Sequence, residues 1–308
     1  MTSSAQLDKK TIDSLKKHAS IASISLACVL SLLKLAAAFF SGSLAVLSSM
    51  IDSLSDIIGS LITFIAVKYS ARPASYAHRY GYGKAEAVSA LIQAVFIAAS
   101  GLYVLCDAVI RFIEPKEINI TPFALSVMII SLLATLLLIT YQKHIATLTH
   151  SQAINADSAH YVVDILTNAS IIISLLLVKF FDFNWFDTIT AFFIAVYLIY
   201  NACQLAKEAL NTLLDHELEQ SVRDNILKII NRHSFVVGVH DLRTRSLGND
   251  YMIELHLELD GRLSLFEAHQ LSDQVEAAVL SAYPNAQIII HQDPAGITEE
   301  RLDAKLKQ

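Results

Sequence analysis

Residues 45–68 read AVLSSMIDSLSDIIGSLITFIAVK, an apolar stretch long enough to cross a hydrocarbon core of about 30 Å, yet it carries two carboxylates, Asp52 and Asp56. The two acids stand four residues apart and so share one helical face, where like charges repel. Ser48, Ser49, Ser53 and Ser55 lie around them. Ionisable groups are costly inside a bilayer and are kept there to serve an ion, a proton or a partner group. The stretch therefore predicts a membrane helix with a polar site at its centre.

The rest of the chain agrees with a membrane class: 54% of its 308 residues are hydrophobic and only 17% are charged. Apolar runs at 18–40, 45–68, 86–113, 122–142, 152–179 and 188–212 predict six transmembrane helices in an all-α membrane domain spanning 18–212. Ser41-Gly42-Ser43 reads as a tight turn, Thr121-Pro122 as a helix start and Asp187 as a cap for the sixth helix. Phe180, Phe181, Phe183, Trp185 and Phe186 form an aromatic cluster suited to a membrane interface. Residues 1–17 are polar, resemble no removable signal and read as a cytoplasmic segment. Lys9, Lys10, Lys16 and Lys17, with Lys68, Arg72, Arg79, Lys84 and Lys143 in alternate loops, place both termini in the cytoplasm of a multi-pass protein of a cell membrane. Cys28, Cys106 and Cys203 are too scattered for a disulfide or thiolate site. A net charge of −6 without a basic block argues against nucleic acid as a partner.

From about Leu213 the pattern becomes that of a soluble α+β unit, with elements in the order αββαβ: helix 217–233, strand 235–246, a turn at Gly248-Asn249, strand 251–259, helix 265–281 and strand 286–292. Ser264 followed by Glu267 is a capping box for the second of these helices. The unit is expected to span 213–296, with 297–308 a charged tail, frayed or forming a short helix.

The fifth predicted membrane helix carries His160 and Asp164, again four residues apart. At 1.5 Å of rise per residue the two helices bring their pairs to similar depth near the midplane. Three carboxylates and one imidazole, Asp52, Asp56, His160 and Asp164, suit tetrahedral Zn²⁺, and the nitrogen ligand disfavours Mg²⁺ or Ca²⁺. Metal and protons compete for such groups, which suggests metal leaving in exchange for H⁺. Asn168 continues this face as a hydrogen-bonding neighbour, Asp157 reads as an acid favoured by the start of a helix, and Asp107 with Arg111 as an ion pair.

The motifs DSLSD at 52–56, HRYGYGKAE at 78–86, HYVVD at 160–164, VHDLRTR at 239–245, LHLELDG at 255–261 and IIIHQDP at 288–294 resemble those of the cation diffusion facilitator family, and more closely its bacterial zinc and iron efflux pumps. The resemblance implies a homodimeric metal/proton antiporter, with zinc expected ahead of iron, cadmium or manganese. It implies a metallochaperone-like cytoplasmic domain, a transport site at Asp52, Asp56, His160 and Asp164, and a Lys84–Asp215 link between the two parts. It also implies a binuclear zinc site at His240, His256, His269, His291 and Asp293, structural or regulatory, with Asp293 bridging the ions. Strand alternation independently puts His256 on a polar face, and His291 and Asp293 on one face.

One departure stands out. These pumps hold a further ion in the loop between helices two and three through an aspartate and two histidines, and the corresponding positions here are Ser75, His78 and Tyr82. One ligand of three remains, so any binding at His78 is expected to be weak. Catalysis is not expected: two aspartates are reminiscent of an aspartyl protease, but HExxH and serine-nucleophile motifs are missing. A membrane metal sensor that carries nothing across is the rival reading from another class.

Overall fold

The computed structural model describes residues 8–41, 44–113, 122–181, 186–248, 250–297 and 300–305, without the side chains at 34, 37–41, 44–55, 111, 122–125, 127–128, 167, 171–172, 174–181 and 186–187. Six long helices come first: α1 (Lys9–Ser41), α2 (Leu44–Ser70), α3 (Ala85–Ile113), α4 (Pro122–Thr149), α5 (Gln152–Phe181) and α6 (Phe186–Leu213). Among the described residues, stretches of α1, α3, α4 and α6 are long and apolar enough to cross a bilayer. The aromatic cluster, the Ser41-Gly42-Ser43 turn, Thr121 and the side chains of Asp52, Lys34 and Arg111 lie outside the described residues.

The bundle is turned inside out relative to a water-soluble one. Leu32, Tyr103, Leu137 and Phe193 are among many large apolar side chains left exposed, as a lipid-facing surface requires. The seam joining α3, α5 and α6 is instead built from small residues, Ala90, Ala94, Ala156, Ala202 and Ala209. Without a hydrophobic drive between helices in lipid, small side chains gain contact by letting the backbones approach. Gly101 makes the same point, since a Cβ there would meet Leu198 and Ile199 of α6 at 3.1 Å.

Three helix ends differ from expectation. α1 begins at Lys9, well before the apolar run, because its polar first turns still pack against neighbours: Lys16 is buried beside Glu86 of α3. α4 continues to Thr149, with Ile145 and Ala146 packed against Ala19, Val67, Ala153 and Ile154. α6 starts at Phe186, so Asp187 lies inside its first turn and is not its cap.

The soluble unit follows the αββαβ order: α7 (Gln220–Ile230), β1 (Gly238–Ser246), β2 (Tyr251–Leu259), α8 (Leu265–Ala282) and β3 (Gln287–Pro294). β2 is central, antiparallel to β1 and parallel to β3, which α8 reaches by a crossover. Ile253, Leu255, Leu257 and Leu259 point to one face of β2 and pack on Ile226 and Ile230 of α7 and Val275 and Val279 of α8. The intervening residues Glu254, His256 and Glu258 therefore occupy the face that the helices leave open. Ser264 and Glu267 form the expected capping box at the start of α8.

The two parts meet through polar contacts and one close backbone crossing. Lys84 Nζ lies 2.6 Å from Asp215 Oδ1, and Arg245 Nη1 lies 3.2 Å from Asp215 Oδ2. Lys9 reaches Asp250 at 2.9 Å. Gly83, before α3, touches the β1–β2 turn so closely that a Cβ would sit 1.9 Å from the Leu247 carbonyl oxygen. Gly248 on the other side has φ +99°, a conformation open to glycine.

Candidate functional site

α2 and α5 meet at Asp56 and His160. His160 is 7% exposed, and its Nε2 lies 3.2 Å from Asp56 Oδ1. Its Nδ1 is buried with no hydrogen-bond partner among the described residues. A buried imidazole nitrogen left unpaired is costly unless something else takes its lone pair or its proton. Asp164 follows one turn later on α5, and Asn168 donates to its backbone carbonyl at 2.7 Å. Among the described residues, the set of three ligating side chains whose ligand atoms all lie within 4.8 Å of one another is His240, His256 and Asp293. The side chain of Asp52 lies outside the description.

A polar network below this pair went unread in the sequence. Asp157 is fully buried, and α5 starts at Gln152, so this carboxylate lies beyond the first turn and does not act as a helix-start acid. It accepts from Ser23 of α1 and from Gln142 of α4, each at 2.6 Å, while Gln93 of α3 stands at 3.5 Å. The Ser60 hydroxyl of α2 lies 2.8 Å from Ser23 and 2.7 Å from the Tyr161 hydroxyl. Four helices meet at one carboxylate next to His160, and α2 joins the network through Ser60. The legible signal was the spacing of Asp157 three residues before His160, together with the mid-helix amides Gln93 and Gln142 in apolar runs. Nearer the helix ends, Glu86 takes Lys16 at 2.7 Å, Ser70 at 3.0 Å and the Ser151 hydroxyl, which gathers α1, α2, α3 and the start of α5.

The loop residues Ser75, His78 and Tyr82 contact one another. Ser75 Oγ lies 2.9 Å from the Tyr82 hydroxyl, and the exposed His78 ring lies against Tyr82 with centroids 4.6 Å apart. Neither Ser75 nor Tyr82 offers His78 a carboxylate or imidazole beside it.

In the soluble unit the sheet register does the assembling. His240, His256 and His291 are direct neighbours across β1, β2 and β3, and two rungs on, on the same face, Gly238, Glu258 and Asp293 are neighbours in the same order. Asp293 Oδ2 lies 2.8 Å from His256 Nδ1 and 3.6 Å from His240 Nε2, while its Oδ1 lies 3.2 Å from His291 Nε2. One carboxylate thus faces three imidazoles. Two imidazole nitrogens and a carboxylate oxygen within 4.8 Å are a donor set that fits a borderline metal such as Zn²⁺. His269 is not gathered with them. It sits on α8, in the layer packed on the opposite face of the sheet, exposed and 3.6 Å from Asp273.

Comparison with known proteins agrees with this architecture. Residues 20–214 match the cation efflux transmembrane domain, and residues 218–295 match the cation efflux protein cytoplasmic domain. The cation-efflux pump FieF of Serratia proteamaculans is 39% identical over 93% of this chain and 95% of its own length. FieF of Salmonella choleraesuis is 38% identical over 94% and 96%. Among solved structures, the metal-bound C-terminal domain of the CzcD transporter from Thermotoga maritima is 28% identical, covering 27% of this chain and all of its own, at a TM-score of 0.25. With both domains matched in order along nearly the whole length, the chain belongs to the cation efflux, or cation diffusion facilitator, family and is a cation efflux transporter.

Proposed function

We propose that the protein exports a divalent transition-metal cation, Zn²⁺ ahead of Fe²⁺, Cd²⁺ or Mn²⁺, from the cytoplasm in exchange for protons by alternating access. The observation that carries this reading is the buried His160–Asp56 contact between α2 and α5, with His160 Nδ1 left unpaired. Asp52, Asp56, His160 and Asp164 are the transport ligands, and the imidazole among carboxylates favours zinc over harder ions. Ligands must be deprotonated to hold metal, so protonation from outside releases the ion and deprotonation on the cytoplasmic side restores the site.

His240, His256, His291 and Asp293 hold resident metal in the cytoplasmic unit, with His269 a further ligand in a homodimer. A bound Zn²⁺ supplies charge that ties the three strands together, and Asp293, with one oxygen toward each side, suits a bridging role. His78 is at most a weak site. In this reading the protein is a multi-pass component of a bacterial inner membrane with both termini cytoplasmic, its membrane domain spanning 18–212 and its cytoplasmic domain 213–296, and it catalyses no covalent chemistry.

The test is zinc flux into proteoliposomes under an imposed pH gradient. Flux should follow the gradient and disappear in Asp56→Ala and His160→Ala while helix content is kept. Zinc binding without any flux in the native protein would favour a sensor, and flux indifferent to pH would remove the proton exchange.

A further inference from the structure

The charged tail is docked, and it is docked on the histidine cluster. Leu302–Lys305 forms a short helix, α9, whose first amides are held by Asp241: Leu302 N donates to Oδ2 at 2.9 Å and Asp303 N to Oδ1 at 2.8 Å. Asp241 N donates back to Asp303 Oδ2 at 3.0 Å. Asp241 directly follows His240, has φ +50° and sits where the β1–β2 register shifts, so it forms part of a bulge that aims its neighbour. From the same segment Arg301 pairs with Glu258. Glu258 Oε1 in turn lies 3.1 Å from His240 Nδ1, an ionic contact without the alignment of a hydrogen bond, while Nε2 of that ring faces Asp293. Gly238 makes room for this arrangement, because a Cβ there would meet Glu258 Oε2 at 2.8 Å.

A carboxylate beside one imidazole nitrogen favours the proton there electrostatically and so favours leaving the other nitrogen's lone pair to the metal. The tail therefore touches His240 twice, through its backbone neighbour and through the carboxylate on its ring. We propose that residues 301–305 are a strap that sets the metal affinity of the His240–His256–Asp293 cluster. In it Glu258 is a positioning residue for His240, and Arg301 holds Glu258 in place. The inference rests on the reading of that cluster as a metal site. If strap docking strengthens metal binding, then by linkage metal binding must strengthen strap docking by the same factor. The tail then reports occupancy of the cluster to whatever contacts it.

The experiment uses the full chain in detergent, with Asp56→Ala in every sample to weaken the membrane pair, and Zn²⁺ alone as probe. Calorimetric titration should show binding that His256→Ala abolishes. Glu258→Ala should weaken it about 10- to 100-fold, the range for loss of a carboxylate partner to a ligating histidine. Arg301→Ala should weaken it about two- to fivefold, the scale of one partly exposed ion pair, with Arg301→Lys recovering part of the loss. The double variant should be no worse than Glu258→Ala alone, because Arg301 acts through Glu258. Hydrogen exchange at Leu302 and Asp303 should slow when Zn²⁺ is added. A purely structural tail would lower the melting temperature of Arg301→Ala while leaving affinity and zinc-dependent exchange unchanged, and that result overturns the strap. If His256→Ala binds zinc as its background does, the cluster reading fails and the strap fails with it.

Discussion

Removing the ammonium of Lys16 should cost far more than removing both members of its ion pair. The side chains of Lys16 and Glu86 are 2% and 7% exposed, with Nζ 2.7 Å from Oε1. At an effective dielectric constant of about 20, two unit charges at that distance attract by about 6 kcal/mol. Desolvating each ion costs several kcal/mol, so the intact pair contributes little net stability relative to an uncharged replacement. Lys16→Met keeps the stem and removes the charge, leaving a buried carboxylate supported, among the described residues, by the Ser70 and Ser151 hydroxyls. The expected loss is about 3–5 kcal/mol, the usual cost of stranding one partner of a buried pair. Glu86→Gln strands the ammonium and should cost a similar amount, eased because the amide oxygen still accepts from the serines. Lys16→Met with Glu86→Gln should recover most of the loss, giving a coupling energy of about 2 kcal/mol or more. Reversible unfolding in mixed micelles, followed by loss of helical circular dichroism, measures all four corners of the cycle. A single-variant loss below about 1 kcal/mol, as at an exposed pair, or a double variant as damaged as the sum of the singles, would refute the reasoning.

Three other outcomes are expected. Gly83→Ala puts a methyl group 1.9 Å from the Leu247 carbonyl oxygen, so the junction must part; melting should fall by about 2–3 kcal/mol equivalent and zinc flux should drop with it. The hydrogen bond from Lys84, with Arg245 alongside, outweighs burial and holds the Asp215 carboxyl below its ordinary range. A depressed carboxylate contributes its stabilisation above the unfolded pKa of about 4 and loses it as pH falls through the folded value, so Lys84→Met should flatten the acid limb of a melting-versus-pH curve. Asp157→Leu strands the Gln142 amide, while Ser23 can turn to Ser60, and should destabilise by about 1–3 kcal/mol, whereas Asp157→Asn, which keeps an acceptor, should lose less than half as much in the same unfolding assay.

Elements whose signal is local were legible. β2 was read at 251–259 as it stands, and the capping box opening α8 needs only Ser264 and Glu267. The polar alternation of Glu254, His256 and Glu258 likewise marked an open sheet face. Elements whose ends depend on neighbours were misread. The start of α1 at Lys9 depends on burial of Lys16 by Glu86, 70 positions away, which no local pattern reveals. Asp157 looked like an ordinary helix-start acid because its partners Ser23, Gln93 and Gln142 come from three other helices.

By itself the sequence determined the six apolar runs, the αββαβ order that follows them and the paired ionisable residues at helical spacing on α2 and α5. Periodicity and hydropathy are properties of short segments, and those properties are written residue by residue. Only the tertiary structure decided the rest: the rung that aligns His240, His256 and His291, the five-helix network on Asp157, and the docking of Arg301 and α9 beside His240. These depend on strand register, on which small residues let helices approach, and on contacts between segments far apart in the chain. The same acids and histidines could be arranged on these elements in several ways, and it is packing that selects one.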